Sequence, residues 1–111
     1  MNIYDNFLSL DIRVGTIIEC SVNEKAKKPA YKLTIDFGDL GIKNSSAQIT
    51  DKYTCEDLVG TQIIAVTNFE PKQVAGVLSE VLVLGALEED GVTIISPNKK
   101  VKNGAKIAWK V

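Results

Sequence analysis

The run YKLTIDFG at residues 31–38 alternates without interruption, with Leu33, Ile35 and Phe37 on one face and Lys32, Thr34 and Asp36 on the other. A period of two over this length describes a half-exposed antiparallel strand; a helix would scatter the same residues around its axis. The GDLG turn then sends the chain back into GIKNSSAQIT, residues 41–50, as the hairpin partner. That second strand is unexpectedly polar. Asn44, Ser45, Ser46, Gln48 and Thr50 stand between Ile42 and Ile49, in a chain whose other strand-like runs are valine, isoleucine and leucine. The plainer reading is an exposed sheet face that binds nothing. The sharper one is a strand whose hydrogen-bonding side chains meet a ligand.

The other segments agree with a sheet. Tyr4, Phe7, Leu8 and Leu10 are spaced for a short amphipathic helix over residues 4–9, too short to stand without docking its apolar side. DIRVGTIIECSV, Asp11 to Val22, reads as a long strand with Gly15 marking a bulge or barrel bend, ended by NEKAKKPA. Thr54 with Asp57 has the form of a capping box opening a one-turn helix at CEDLVG. TQIIAVTNF and SEVLVLGAL, joined by EPKQVAGVL, are apolar enough to predict burial on both faces, with a partner subunit as the second cover. The end of the chain holds a strand, a proline-led lysine loop, an Asn103-Gly104 turn and a last strand with Ile107 and Trp109. Five to seven short strands with little helix predict an all-β Greek-key barrel, within the size of one domain, 1–111.

Composition narrows the function. Histidine is absent, which removes the commonest general base, the usual partner of a nucleophilic serine or cysteine and the commonest metal ligand. No phosphate-binding loop, nucleophile elbow or metal-loop carboxylate spacing replaces it, so no enzyme, metal or cofactor is expected. Cys20 and Cys55 lack any CxxC spacing and are expected as buried or half-buried free thiols. The acidic, amphipathic N-terminus does not read as a secretory signal, and no apolar run is long enough for a membrane span; a cytoplasmic protein without membrane insertion is expected. A net charge of −1 argues against nucleic-acid binding by bulk charge. Lysines are nevertheless grouped, at Lys25, Lys27, Lys28, Lys32 and Lys43 and again at Lys99, Lys100, Lys102, Lys106 and Lys110, either as solvated faces and guarded sheet edges or as ligand contacts.

LDIRVGTI, PAYKLTIDFG, GIKNSSAQIT and NFEPKQVAGVLSEVLVLG occur in the order that resembles the tRNA-binding domain family. That family includes the C-terminal domain of some methionyl-tRNA synthetases and the free-standing CsaA-type export-related chaperones, and SSAQIT and SEVLVLG resemble the CsaA-type branch. The resemblance implies a five-stranded OB-fold barrel with a short N-terminal helix and a C-terminal strand extension. It also implies a homodimer, for which Phe7, Leu8, Ile107 and Trp109 are the expected interface residues, and a ligand surface in place of a catalytic pocket. Carried over by position, the ligand groups are Lys43, Ser45, Ser46 and Gln48 on the polar strand and Asn68, Lys72, Gln73 and Ser79 around the following connection, with Lys32, Lys43 and Lys72 supplying charge.

Two ligands fit that implication. One is a non-native, unfolded or precursor polypeptide, held on apolar surface near the dimer seam with the polar strand as a rim, a reading motivated also by the acidic balance and the apolar runs at residues 61–69 and 79–87. The other is tRNA, contacted through backbone and 2′-hydroxyls. A dimerisation module acting in trans on aminoacyl-tRNA synthesis is a further implication. The chain departs from the tRNA-binding branches at Ser79-Glu80-Val81-Leu82, where they carry a Ser-Gln-Gly-Met-like run. Glu80 places a negative charge where RNA would approach, and stacking rings are few.

Overall fold

The alternation in β2 (Tyr31–Asp36) sets the barrel wall. Leu33 and Ile35, with Phe37 just beyond, are fully buried, while Lys32 is exposed. The computed structural model describes residues 2–109, so Lys110 of the lysine-rich tail lies outside the described residues. β2 pairs in antiparallel register with β1 (Ile12–Val22) on one side and β3 (Ile42–Ala47) on the other, the second pairing running from Tyr31 opposite Ala47 to Asp36 opposite Ile42. β4 (Gln62–Val66) pairs with the first half of β1, and the two-residue β7 (Leu82–Val83) pairs with β4. The sheet order β3-β2-β1-β4-β7, antiparallel throughout, curls into a nearly closed five-stranded barrel of the OB type.

Gly15 has a different role from the one its sequence context suggests. The register shift in β1 falls between Ile17 and Glu19. Gly15 instead lies beneath core side chains: a β-carbon there would sit 2.7 Å from Ile35 Cγ2 and 2.8 Å from the Phe37 ring. It is a contact glycine, with no bulge at its position.

α1 (Ile3–Leu8) is capped by Asn2, whose Oδ1 accepts the Asp5 N–H at 2.8 Å, and it buries none of its residues. α2 (Cys55–Leu58) starts at the expected capping box, with Thr54 and Asp57 exchanging both bonds at 3.2 Å. Its exit is fastened to β1 by Gly60 N–H to Ile17 C=O at 2.8 Å and Ile17 N–H to Thr61 C=O at 3.0 Å. This docking overturns the expectation of free thiols. Cys20 and Cys55 form a disulfide across a Cα separation of 5.3 Å, within the ordinary bridging range, and tie β1 to the start of α2.

Two further expectations are corrected. EPKQVAGVL is a separate hairpin of β5 (Lys72–Val74) and β6 (Val77–Ser79), and SEVLVLGAL is not one covered strand. After β7 the chain leaves the barrel at Leu84, whose C=O accepts the Ile95 N–H, and forms a second hairpin of β8 (Gly85–Glu88) and β9 (Gly91–Ile94). Val81 is fully buried, but Leu82 is 43% and Leu87 82% exposed. Apolarity here marks uncovered surface, whereas in β4 it marks burial.

The C-terminal segment makes an isolated bridge in place of a full strand, Lys106 opposite Arg13. Val14 N–H to Ala105 C=O, Gly104 N–H to Val14 C=O and Ile107 N–H to Ile12 C=O nonetheless lay it along the free edge of β1. Arg13 reinforces the seam, donating to Gly104 C=O at 3.0 Å and to Asp11 at 2.6 Å. Donation from Arg13 holds the Asp11 carboxyl below its ordinary range. A lowered folded-state value stabilises the fold above the ordinary carboxylate range, and that stabilisation is lost as pH falls through the lowered value, a small effect for a half-buried surface pair.

Candidate binding groove

Side-chain parity divides the polar strand. In the β2–β3 register Ser45 faces Leu33 and Lys43 faces Ile35, so both share the core side, whereas Ser46 faces Lys32 on the outer side. Ser45 is 2% exposed and its hydroxyl donates to Val81 C=O at 3.0 Å, which satisfies a polar group inside the core and closes the barrel there. Ser79, also buried, accepts the Ser46 N–H on its Oγ at 3.0 Å. Glu80 completes the closure. Its N–H donates to Asn44 C=O at 2.9 Å and its carboxylate accepts the Asn44 N–H at 3.0 Å. Glu80 therefore stands in for a strand partner along β3.

Beyond Ser46 the closure stops, and a groove of about 650 Å³ opens between the end of β3 and the chain leaving β7. Volumes of this size are common for ligand sites. Ser45, Ser46, Gln48, Lys72 and Ser79 line it, five of the residues singled out in the sequence. Of these, Ser46 is half-buried, and Gln48 and Lys72 are exposed; their side chains make none of the hydrogen bonds or ion pairs found among the described residues. The rest of the lining is apolar, including Ile49, Phe69, Val74, Leu82, Leu84 and Leu87. For Leu82, Leu84 and Leu87 the signal was the apolar density of SEVLVLGAL, which also fits a buried strand.

Four expected ligand residues lie outside this lining. Lys32 is exposed on the outer face opposite Ser46, Lys43 is half-buried near the start of β3, and Gln73 is exposed on β5 opposite Leu78. Asn68 spends its amide on the α1–β1 junction: Oδ1 accepts the Asp11 N–H at 3.0 Å and Nδ2 donates to Ser9 C=O at 2.7 Å. An amide paired at both ends fixes backbone and has little left for a guest.

A basic zone adjoins the groove. The loop over residues 23–30 reaches the tip of the β5–β6 hairpin, where Lys25 Cδ lies 3.1 Å from the β-carbon position of Gly76. None of Lys25, Lys27, Lys28, Lys32 and Lys72 pairs with a carboxylate among the described residues. The acidic cluster adjoins this zone: Asp51, Glu88 and Glu89 line one depression with Lys28 and Gln48, and Glu88 and Asp90 both hold Lys52, whose ammonium is kept above its ordinary range first by the Glu88 hydrogen bond. Among the described residues no group of three or more cysteine, aspartate or glutamate side chains could hold a metal ion. No helix there is long and apolar enough to cross a membrane.

Between α1 and the C-terminal segment Tyr4 and Trp109 meet edge to face, ring centroids 5.9 Å apart at 78°. Leu8 is 53% and Trp109 59% exposed, with Ile3 and Tyr4 beside them, while Phe7 and Ile107 are half-buried.

Residues 12–106 match the family described as "Putative tRNA binding domain". The fold superimposes on the crystal structure of the chaperone CsaA from Bacillus anthracis with a TM-score of 0.91 at 51% identity, covering 97% of this chain and 99% of that one. The CsaA chaperone protein from Picrophilus torridus gives 0.91 at 54% identity, covering 97% and 100%. Methionine–tRNA ligase of Bacteroides fragilis is 36% identical over 105 residues, 94% of this chain but 15% of the ligase.

Proposed function

This chain belongs to the tRNA-binding domain family, and on that premise we propose that it is a non-catalytic, CsaA-like chaperone that holds non-native or export-bound polypeptides in the groove. The supporting observation is the groove's composition, an apolar floor with uncommitted Ser46, Gln48 and Lys72 at its rim. Apolar floor favours exposed apolar side chains of a client, at about 25 cal/mol per Å² removed from water, and the rim serves its backbone. The working unit is a homodimer. A six-residue helix that buries nothing, beside an exposed tryptophan, supports a second copy covering α1 and the C-terminal segment through Phe7, Leu8, Ile107 and Trp109.

Stoichiometric dimer should suppress aggregation of a heat-denatured client, and Leu87→Asp should abolish most of that suppression without unfolding the protein, because Leu87 is 82% exposed. Retained suppression in the variant would move the client elsewhere; none in the parent would end the chaperone reading.

A second reading, tRNA binding, is favoured by the unpaired lysines of the 23–30 loop, Lys32 and Lys72 around Ser46. Few neutralised phosphates imply a shallow salt slope, and Lys32→Ala should reduce that slope by about one. An unchanged slope removes Lys32 from the contact, and absence of tRNA binding at low salt removes the reading.

A further inference from the structure

The two long walls of the groove are the two ends of one sheet. β3 and β7 terminate the order β3-β2-β1-β4-β7, and each has a strand partner on one side only. Hydrogen-bond alternation fixes which backbone groups point outward. Leu84 N–H donates to Ile64 C=O at 2.9 Å, so Leu82 and Leu84 address β4 while Val83 turns its N–H and C=O toward the groove. On β3 the outward residues are Asn44 and Ser46, as their bonds to Glu80 and Ser79 show, and Gln48, one residue past the end of the strand, is exposed between half-buried Ala47 and buried Ile49, on the same outward side. Asn44 is closed on both groups and Ser46 on its N–H. Its C=O receives only a 3.4 Å contact from the Ser45 hydroxyl, which already donates to Val81 at 3.0 Å. Two side chains and the Glu80 N–H thus close this edge as far as the Ser46 N–H and leave it open from the Ser46 C=O onward, over an apolar floor.

We infer that the groove takes its polypeptide as an extended strand, paired to the open end of the β3 edge at Ser46 and to Gln48 just beyond it, with a carboxylate of the guest at Lys72. The inference rests on the polypeptide-binding role proposed above. An edge with unpaired N–H and C=O groups pairs with strands, and main-chain bonds give such binding its affinity whatever the guest's sequence. Alternate guest side chains then fall on the apolar floor and in solvent. A helical guest satisfies its own backbone and would leave the edge unused. Charge complementarity favours an acidic residue in the guest. Lys72 lines the groove without a carboxylate partner among the described residues, and Glu80, at the closed end of the β3 edge, is turned to Asn44.

The test is a fluorescein-labelled octapeptide alternating valine and threonine with one aspartate, titrated with the full chain by anisotropy, together with analogues N-methylated at one peptide bond each. N-methylation removes a donor without changing a side chain, so strand pairing predicts alternation, with about tenfold weakening at every second bond and less than about twofold between. Lys72→Gln should weaken the aspartate peptide about threefold and leave its asparagine analogue unchanged. Binding that ignores the methylation pattern overturns strand pairing while leaving the chaperone reading intact. Equal loss for both peptides in Lys72→Gln overturns the carboxylate assignment. Failure of the parent peptide to bind at all overturns both this inference and the reading beneath it.

Discussion

Phe37→Ala is expected to lower stability by about 3–5 kcal/mol, a large share of the roughly 5–15 kcal/mol available to a domain of this kind. Phe37 is fully buried, in one cluster with Ile17, Leu33, Ile35, Leu58 and Ile63, and its ring lies over the bare backbone of Gly15. Deleting the ring loses its transfer free energy and leaves a cavity that the rigid barrel wall cannot collapse to fill. Urea unfolding should show a lower midpoint with an unchanged slope. The pairing with Gly15 makes the prediction sharper. Gly15→Ala alone should cost about 1–3 kcal/mol by overpacking, and less in the Phe37→Ala background, where the ring it collides with is gone. Additive losses would show that the ring and the glycine do not share a site, and a loss below about 1 kcal/mol for Phe37→Ala would deny the ring its place in the core.

Breaking the Cys20–Cys55 disulfide is expected to cost about 4 kcal/mol by chain entropy, since the bridge closes a loop of sequence separation 35. That loop contains β2 and β3, and hence the groove's polar wall. For a chain of this size the loss corresponds to a fall in melting temperature on the order of 15–20 °C. Thermal unfolding with and without reductant, and of the Cys20→Ser/Cys55→Ser double variant, measures it, with thiol alkylation counting free sulfhydryls in each state. Two freely alkylated thiols in protein kept under air would contradict the bridge. An oxidised form no more stable than the double variant would mean that the loop is already ordered in the unfolded chain.

Some of this was open to inspection in the amino-acid order. YKLTIDFG states its own face assignment, because a period of two survives in any antiparallel sheet, and Thr54 with Asp57 states a helix start, because a capping box is closed within four residues. The tRNA-binding family and the OB-type barrel followed from motifs in order along the chain, and the comparisons agree with both. Parity did not follow as easily. Ser45 and Ser46 are adjacent and chemically identical, yet one is a core hydroxyl tied to Val81 and the other edges the groove, a difference set by which of them opposes Leu33. Asn68 looked like a ligand group for the same reason that it makes a good clamp: an amide donates and accepts, and only the approach of Ser9 and Asp11 decides where.

What the sequence determined by itself is therefore what depends on neighbours along the chain: the alternating strand β2 and the start of α2, the polar strand among apolar ones, and the lack of histidine. Tertiary structure decided everything that depends on residues distant in sequence. Docking of α2 on β1 joined two cysteines that no spacing connects. Glu80 and Ser79 closed an edge as far as the Ser46 N–H and left it open beyond, and departure of the chain at Leu84 turned an apolar run from a covered strand into the floor of a groove. The physical reason is common to all three. Apolar and hydrogen-bonding side chains specify what kind of surroundings they require, but burial and pairing are properties of two surfaces, and the second surface is supplied only when the barrel closes.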